Sequence, residues 1–224
     1  MMSHDYNDVT QFDTFPKLLR ENARRWPDQV ALREKEFGIW NLFTWADCLG
    51  EVRALALGLA ALGVRRGDVV ALLGKNRPEW LWGELAAHAV GALSMGVYQD
   101  SMNAEVAYLL TYTQASVVLA EDEEQVDKLL EISDQVPSLR HIVYFDPRGM
   151  RKHKDDRLIF ADDLRALGKS LAEREPGRFD AECQQVAFAG FGAFGECGQL
   201  LFGDLGVAVG AQVLQLLDLL PADF

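Results

Sequence analysis

The chain is short of several things. Its 224 residues hold 3 cysteines and 7 prolines, and no lysine or arginine follows Arg178. The cysteines, Cys48, Cys183 and Cys197, form no Cys-x-x-Cys pair and are odd in number. A disulfide framework and a cysteine zinc ribbon are thereby excluded, and free thiols in a reducing compartment are expected. Long hydrophobic runs are missing too. The longest uncharged stretches of the C-terminal part are 13 residues, broken at Glu196 and Asp204, where a membrane-spanning helix needs about 20. The opening Met1-Met2-Ser3-His4-Asp5 is polar and acidic, unlike a secretory leader, so a cytoplasmic protein is expected. Positive charge is scarce: 22 Lys+Arg stand against 34 Asp+Glu, a net charge of −12. That balance argues against nucleic acid as a partner. No internal repeat of solenoid period is evident.

What is present is a soluble globular composition, 49% hydrophobic and 25% charged, with enough length for a well-buried core. Thr14-Phe15-Pro16 opens a helix towards Trp26, with a threonine cap and a proline in its first turn. Val30–Lys35 and Ile39–Phe43 predict a hairpin around Phe37-Gly38. Thr44 and Asp47 then start a helix whose apolar stripe is Trp45, Leu49, Val52, Ala56 and Leu59, and Gly63 closes it.

An alternation follows. Val69–Leu73, Leu93–Val97, Ser116–Ala120 and His141–Phe145 predict strands. Helices at Pro78–Gly91, Asn103–Thr113 and Asp122–Ser133 separate them. Short apolar runs without polar alternation, spaced by helices, mean an α/β domain with a mostly parallel sheet covered on both faces. Asp146–Arg157 is a mixed-charge loop expected to be solvated, and Ala161–Arg174 a last helix. Glu175-Pro176-Gly177 is a breaker that suits a linker.

Ligands of open parallel sheets bind outside the carboxyl ends of the strands. Two loops occupy such ends. Lys75 or Arg77 after the first strand could meet an anion, and Asp100 after the second could orient a hydroxyl or amine. The plainer reading, preferred here, is that Asn76 and Pro78 start one helix and Asp100 caps the next. Of His4, His88, His141 and His153, no two stand at metal-ligand spacing, and no acid–histidine–serine set is local. His88 shares a face with Leu81, Trp82 and Leu85 and reads as a core histidine. Trp40, Trp45, Trp80 and Trp82 read as packing residues.

Composition changes near residue 182. Residues 183–224 contain no basic residue, four acids and 7 of the 19 glycines. Two segments are therefore expected, 1–182 and an apolar, glycine-rich 183–224. Gly190, Gly192 and Gly195 match the dinucleotide pattern Gly-x-Gly-x-x-Gly. However, Gly210-Ala211-Gln212 stand where an acidic ribose ligand is due, and Gly203 and Gly206 interrupt the helix that should follow. The glycine richness of the segment accounts for the match. Gln212–Leu220 is leucine-rich enough for a helix.

Several phrases, in order, resemble the N-terminal portion of AMP-forming long-chain acyl-CoA synthetases, in the adenylate-forming ligase superfamily. They include Phe12-Asp13-Thr14-Phe15-Pro16-Lys17-Leu18-Leu19, Leu57 to Val64 leading to Gly67-Asp68, and Asn76-Arg77-Pro78-Glu79-Trp80. Tyr98-Gln99-Asp100, Glu121 to Leu130 and Tyr144 to Gly149 continue the order. The resemblance covers residues about 12 to 182. It implies the matching part of that α/β domain, and an intact family member that uses fatty acid, ATP, Mg²⁺ and CoA through an acyl-AMP intermediate.

The family's phosphate loop, of the form T-S-G-T-T-G-x-P-K, is due soon after Glu182. Residues 183–224 contain no serine, threonine or lysine, so neither its hydroxyls nor its cation is supplied. No catalytic, cofactor-binding or metal-binding residue is therefore carried over. The expectation is a ligase fragment, inactive alone and needing no cofactor of its own. Two alternatives stand beside it. One is a non-catalytic binding or self-associating module that uses the apolar tail. The other is a dinucleotide-binding protein through Gly190, Gly192 and Gly195.

Overall fold

The computed structural model describes residues 12–186. The tail's glycine pattern, the helix expected at 212–220, Cys197, His4 and the N-terminal stretch lie outside the described residues.

Helix α1 (Phe15–Arg25) leads into an antiparallel hairpin of β1 (Val30–Glu36) and β2 (Ile39–Thr44). Phe37 and Gly38 form its two-residue turn with φ of 48° and 83°, the double left-handed geometry that fits the strand twist. Thr14 precedes α1 but makes no side-chain cap, and its Oγ1 is buried without a partner. Pro16 occupies the second helical position and has no N–H to give, which removes one of the two donors such a cap uses. At the next helix, α2 (Trp45–Ala61), the expected cap is complete. Asp47 N–H donates to Thr44 Oγ1 at 3.1 Å, and Thr44 N–H donates to Asp47 Oδ2 at 2.9 Å.

Five parallel strands follow: β3 (Val69–Gly74), β4 (Leu93–Tyr98), β5 (Val117–Ala120), β6 (His141–Tyr144) and β7 (Leu158–Phe160). Helices α3 (Pro78–Ala89), α4 (Asn103–Thr113) and α5 (Glu123–Glu131) connect the first four. The spatial order is β4-β3-β5-β6-β7. Alternate residues face opposite sides. Val70, Leu72, Val117, Leu119 and Val143 join one core, while Ala71, Leu73, Val118, Ala120 and Ile142 join the other. That division explains why each strand reads as unbroken apolar sequence.

The expected apolar stripe describes only part of α2. Ala54 to Leu59 are buried without a break, because this stretch is packed against both α3 and α6 (Ala161–Arg174). The α2–α6 crossing is close enough that two positions tolerate no side chain. A Cβ on Gly168 would lie 1.9 Å from the Ala54 carbonyl oxygen, and one on Gly58 would lie 2.4 Å from the Leu164 carbonyl oxygen.

Two elements exceed the sequence reading. The three-residue β7 pairs with β6, and the stretch after the Pro176-Gly177 breaker is a helix, α7 (Arg178–Gln185). The compositional break at 182/183 lies inside α7. Phe179 and Cys183 from this helix are buried in the α2-side core, and Arg20 pairs with Asp180 at 2.9 Å.

Gly168→Ala is expected to destabilise the protein by about 2–4 kcal/mol in urea unfolding, since backbone must move to admit the methyl. Gly50→Ala, in α2 but facing open space, should be neutral or stabilise by up to about 1 kcal/mol. Burial raises the thiols of Cys48 and Cys183 to about 11, which keeps them protonated and slow to react at pH 8. In a Cys197→Ser variant, Ellman's reagent should therefore read no accessible thiol when native and both when unfolded.

Candidate functional site

The strand order reverses at β3: the chain leaves it outward to β4, then crosses back over it to β5. Such a reversal opens a crevice at the carboxyl ends of the two separating strands, β3 and β5. A cleft of about 340 Å³ lies there. Its floor is apolar, with Leu72, Leu119, Trp80 and Phe145, and its rim is charged.

The rim is built from strand ends. Gly74 closes β3, where a Cβ would fall 2.6 Å from Glu121 Cβ. Glu121, one residue past β5, accepts from the Lys75 N–H through Oε2 at 2.5 Å, and its Oε1 lies 3.8 Å from Lys75 Nζ. Arg77 sits at the N-cap of α3 and reaches back to the hairpin. Its Nε is 3.1 Å from Glu34 and 3.5 Å from Glu79, and its Nη2 is 3.6 Å from Glu36. Burial works against the Arg77 charge, but Glu79, Glu34, Glu36 and Glu121 outweigh it and raise its pKa. Glu34 is raised as well, by burial first. Asp146, just beyond β6, is hydrogen-bonded by Arg148, which lowers its pKa.

Five carboxylates line the cleft (Glu36, Glu79, Glu121, Asp122 and Asp146) against three cations, Lys75, Arg77 and Arg148. Each cation already has a carboxylate partner. Arg77 thus clamps the hairpin to α3. The structure brings Lys75 and Arg77 to the cleft but leaves Asp100 exposed in a turn away from it. The cap of α4 is not Asp100 either: Met102 is the N-cap, and its N–H donates to Glu105 at 2.9 Å. Sequence reasoning missed Glu121 as a rim residue and set Asp146 and Arg148 aside in a solvated loop. The strand-end rule finds them once it is applied after β5 and β6 as well as after β3 and β4.

His88 is half-buried, with Nε2 2.9 Å from Ser94 Oγ, which in turn donates to Glu84 at 3.4 Å. Burial alone lowers His88 to about 4 and raises Glu84. A neutral imidazole tied to a hydroxyl on a neighbouring strand is a satisfied packing residue, as its helical face predicts.

The clamp has a pH signature. Arg77→Gln should cost about 1 kcal/mol at pH 7, a modest figure because the pair is partly solvated. Without the cation, Glu34 rises further above its unfolded value. The native state then takes up a proton more readily than the unfolded chain, so the cost shrinks as pH falls towards 4. Urea unfolding at both pH values checks this; an equal cost at each would remove Arg77 from the clamp.

Residues 19–176 match the sequence profile of the AMP-binding enzyme family. Long-chain-fatty-acid–CoA ligase FadD15 of Mycobacterium tuberculosis is 33% identical over 141 residues, which is 63% of this chain and 24% of that protein. Long-chain-fatty-acid–CoA ligase ACSBG2 of Xenopus laevis is 26% identical over 162 residues, 72% of this chain and 22% of that one. Among solved structures, a putative long-chain-fatty-acid CoA ligase from Rhodopseudomonas palustris superposes with a TM-score of 0.57 at 25% identity. That superposition covers 67% of this chain and 36% of that chain. The chain spans about a quarter of the length of these two curated relatives. A profile matched over most of its residues, on the parallel sheet just described, makes the chain a member of the AMP-binding enzyme family.

Proposed function

We propose that this chain is part of a long-chain fatty acid–CoA ligase and is inactive alone. The intact enzyme of this reading activates a fatty acid with ATP and Mg²⁺ through acyl-AMP, then forms the thioester with CoA. The substrate class rests on the relatives, which are long-chain-fatty-acid–CoA ligases by name.

The observation that carries the inactivity is the charge of the cleft. Holding a triphosphate requires donors and positive charge aimed at its oxygens. Here carboxylates outnumber cations on the rim, and every cation is paired within the protein. The donor set does not fit ATP, its magnesium complex or the phosphates of CoA. The serine- and threonine-free sequence after residue 182 supports the same reading. Two free, buried thiols favour a reducing setting such as the cytoplasm. Among the described residues no helix is long and apolar enough to cross a membrane.

The test is fatty-acid-dependent ATP–pyrophosphate exchange by the purified chain, with FadD15 as the active control. Exchange indistinguishable from a blank is expected. Any exchange that scales with protein and requires fatty acid overturns the proposal.

A further inference from the structure

The loop after β6 does more than line the cleft. Its 3₁₀ turn, Met150–Lys152, is anchored by the buried Met150, and the next residue, His153, is folded against α5. Glu123 and Asp127 stand four residues apart on α5 and therefore share a face. The imidazole and both carboxylates offer three ligand atoms within 4.8 Å of one another. His153 Nε2 lies 3.1 Å from Asp127 Oδ1 and 3.9 Å from Glu123 Oε1. It is shielded from solvent and makes no hydrogen bond, and the His153 side chain as a whole is 12% exposed.

An imidazole nitrogen facing two carboxylate oxygens can be satisfied by its own N–H, or, as a lone-pair donor, by a cation held between it and the acids. Lys152 supplies positive charge to the acids, its Nζ 2.5 Å from Glu123 and 3.7 Å from Asp127, but its side chain is 60% exposed. The backbone is shaped for the carboxylate as well. A Cβ at Gly149 would fall 1.8 Å from Glu123 Oε2, and Gly149 holds φ of 78°.

We propose that Glu123, Asp127 and His153 form a binding site for a divalent transition-metal ion of the zinc type. One imidazole nitrogen with two carboxylates suits Zn²⁺ better than the all-oxygen sites of Ca²⁺ or Mg²⁺. Tetrahedral ligand bonds of about 2.0–2.2 Å put neighbouring ligand atoms about 3.3–3.6 Å apart, so atoms already within 4.8 Å of one another are brought to that spacing by side-chain adjustment. Lys152 competes for the same oxygens and swings out to solvent when the ion enters. The site stands independently of the ligase reading.

The experiment titrates ZnCl₂ into the full chain, following heat of binding and melting temperature, beside three variants. Wild type should bind in the micromolar range and melt higher with zinc. His153→Ala should weaken binding about tenfold or more, and Glu123→Gln/Asp127→Asn should do the same. Lys152→Met should bind several-fold more tightly, because it removes the competing cation. Histidine ¹⁵N spectra of the wild type should show the His153 Nε2 resonance moving on zinc addition, which decides the matter even where a variant fails to fold. Absence of binding at about 1 mM Zn²⁺ overturns the proposal. So does unchanged affinity in both ligand variants, or a His153 signal that stays still.

Discussion

Strand β3 is paired along both edges and covered on both faces, and the rest of the described structure is arranged by that fact. Its neighbours are the strand that follows it and the strand after that, so the chain has to reverse direction beside it. Because every residue from Val70 to Leu73 is buried, the strand has no polar side chain to spare, and chemistry is displaced to its end. Lys75 and Arg77, just past its end, carry the charge that the strand itself lacks. The cleft is a by-product of satisfying the central strand.

Charge in that cleft is used to hold pieces of the protein together. Arg77 gathers glutamates from the hairpin and from its own helix, and Glu121 covers the first backbone N–H past β3. Such partnerships fix how the hairpin meets the sheet, an orientation that apolar contact alone defines loosely. They also consume the cations. A guanidinium held by three carboxylates is a poor anion receptor, since a ligand would have to displace partners that are covalently part of the same chain and already in place.

The strands were legible because burial on both faces leaves a mark that period counting detects: Val69–Leu73 and Ser116–Ala120 are runs without a charge. Asn103–Thr113 was legible in full, and Thr44 was legible as the cap of α2, though the return bond from its N–H to Asp47 was not. Other features left no local mark. Leu158–Phe160 is too short to show alternation and becomes a strand because Ile142, Val143 and Tyr144 offer it an edge. The unbroken burial of Ala54 to Leu59 depends on Gly168, more than a hundred residues away in sequence. Glu123, Asp127 and His153 meet through a loop whose charges, counted in sequence, largely cancel; only the fold separates those facing inward from those facing water.

Helix α7 carries the chain across the point where its composition changes. Cys183, the first residue of the basic-free segment, fills a fully enclosed slot against α2, and Arg66 donates to the Gln185 carbonyl at 2.6 Å. Position 183 therefore has to hold a small apolar side chain, and position 185 has to keep the helical backbone in reach of that arginine. The change of composition therefore has no counterpart in the packing, which runs through it unbroken as far as the described residues extend.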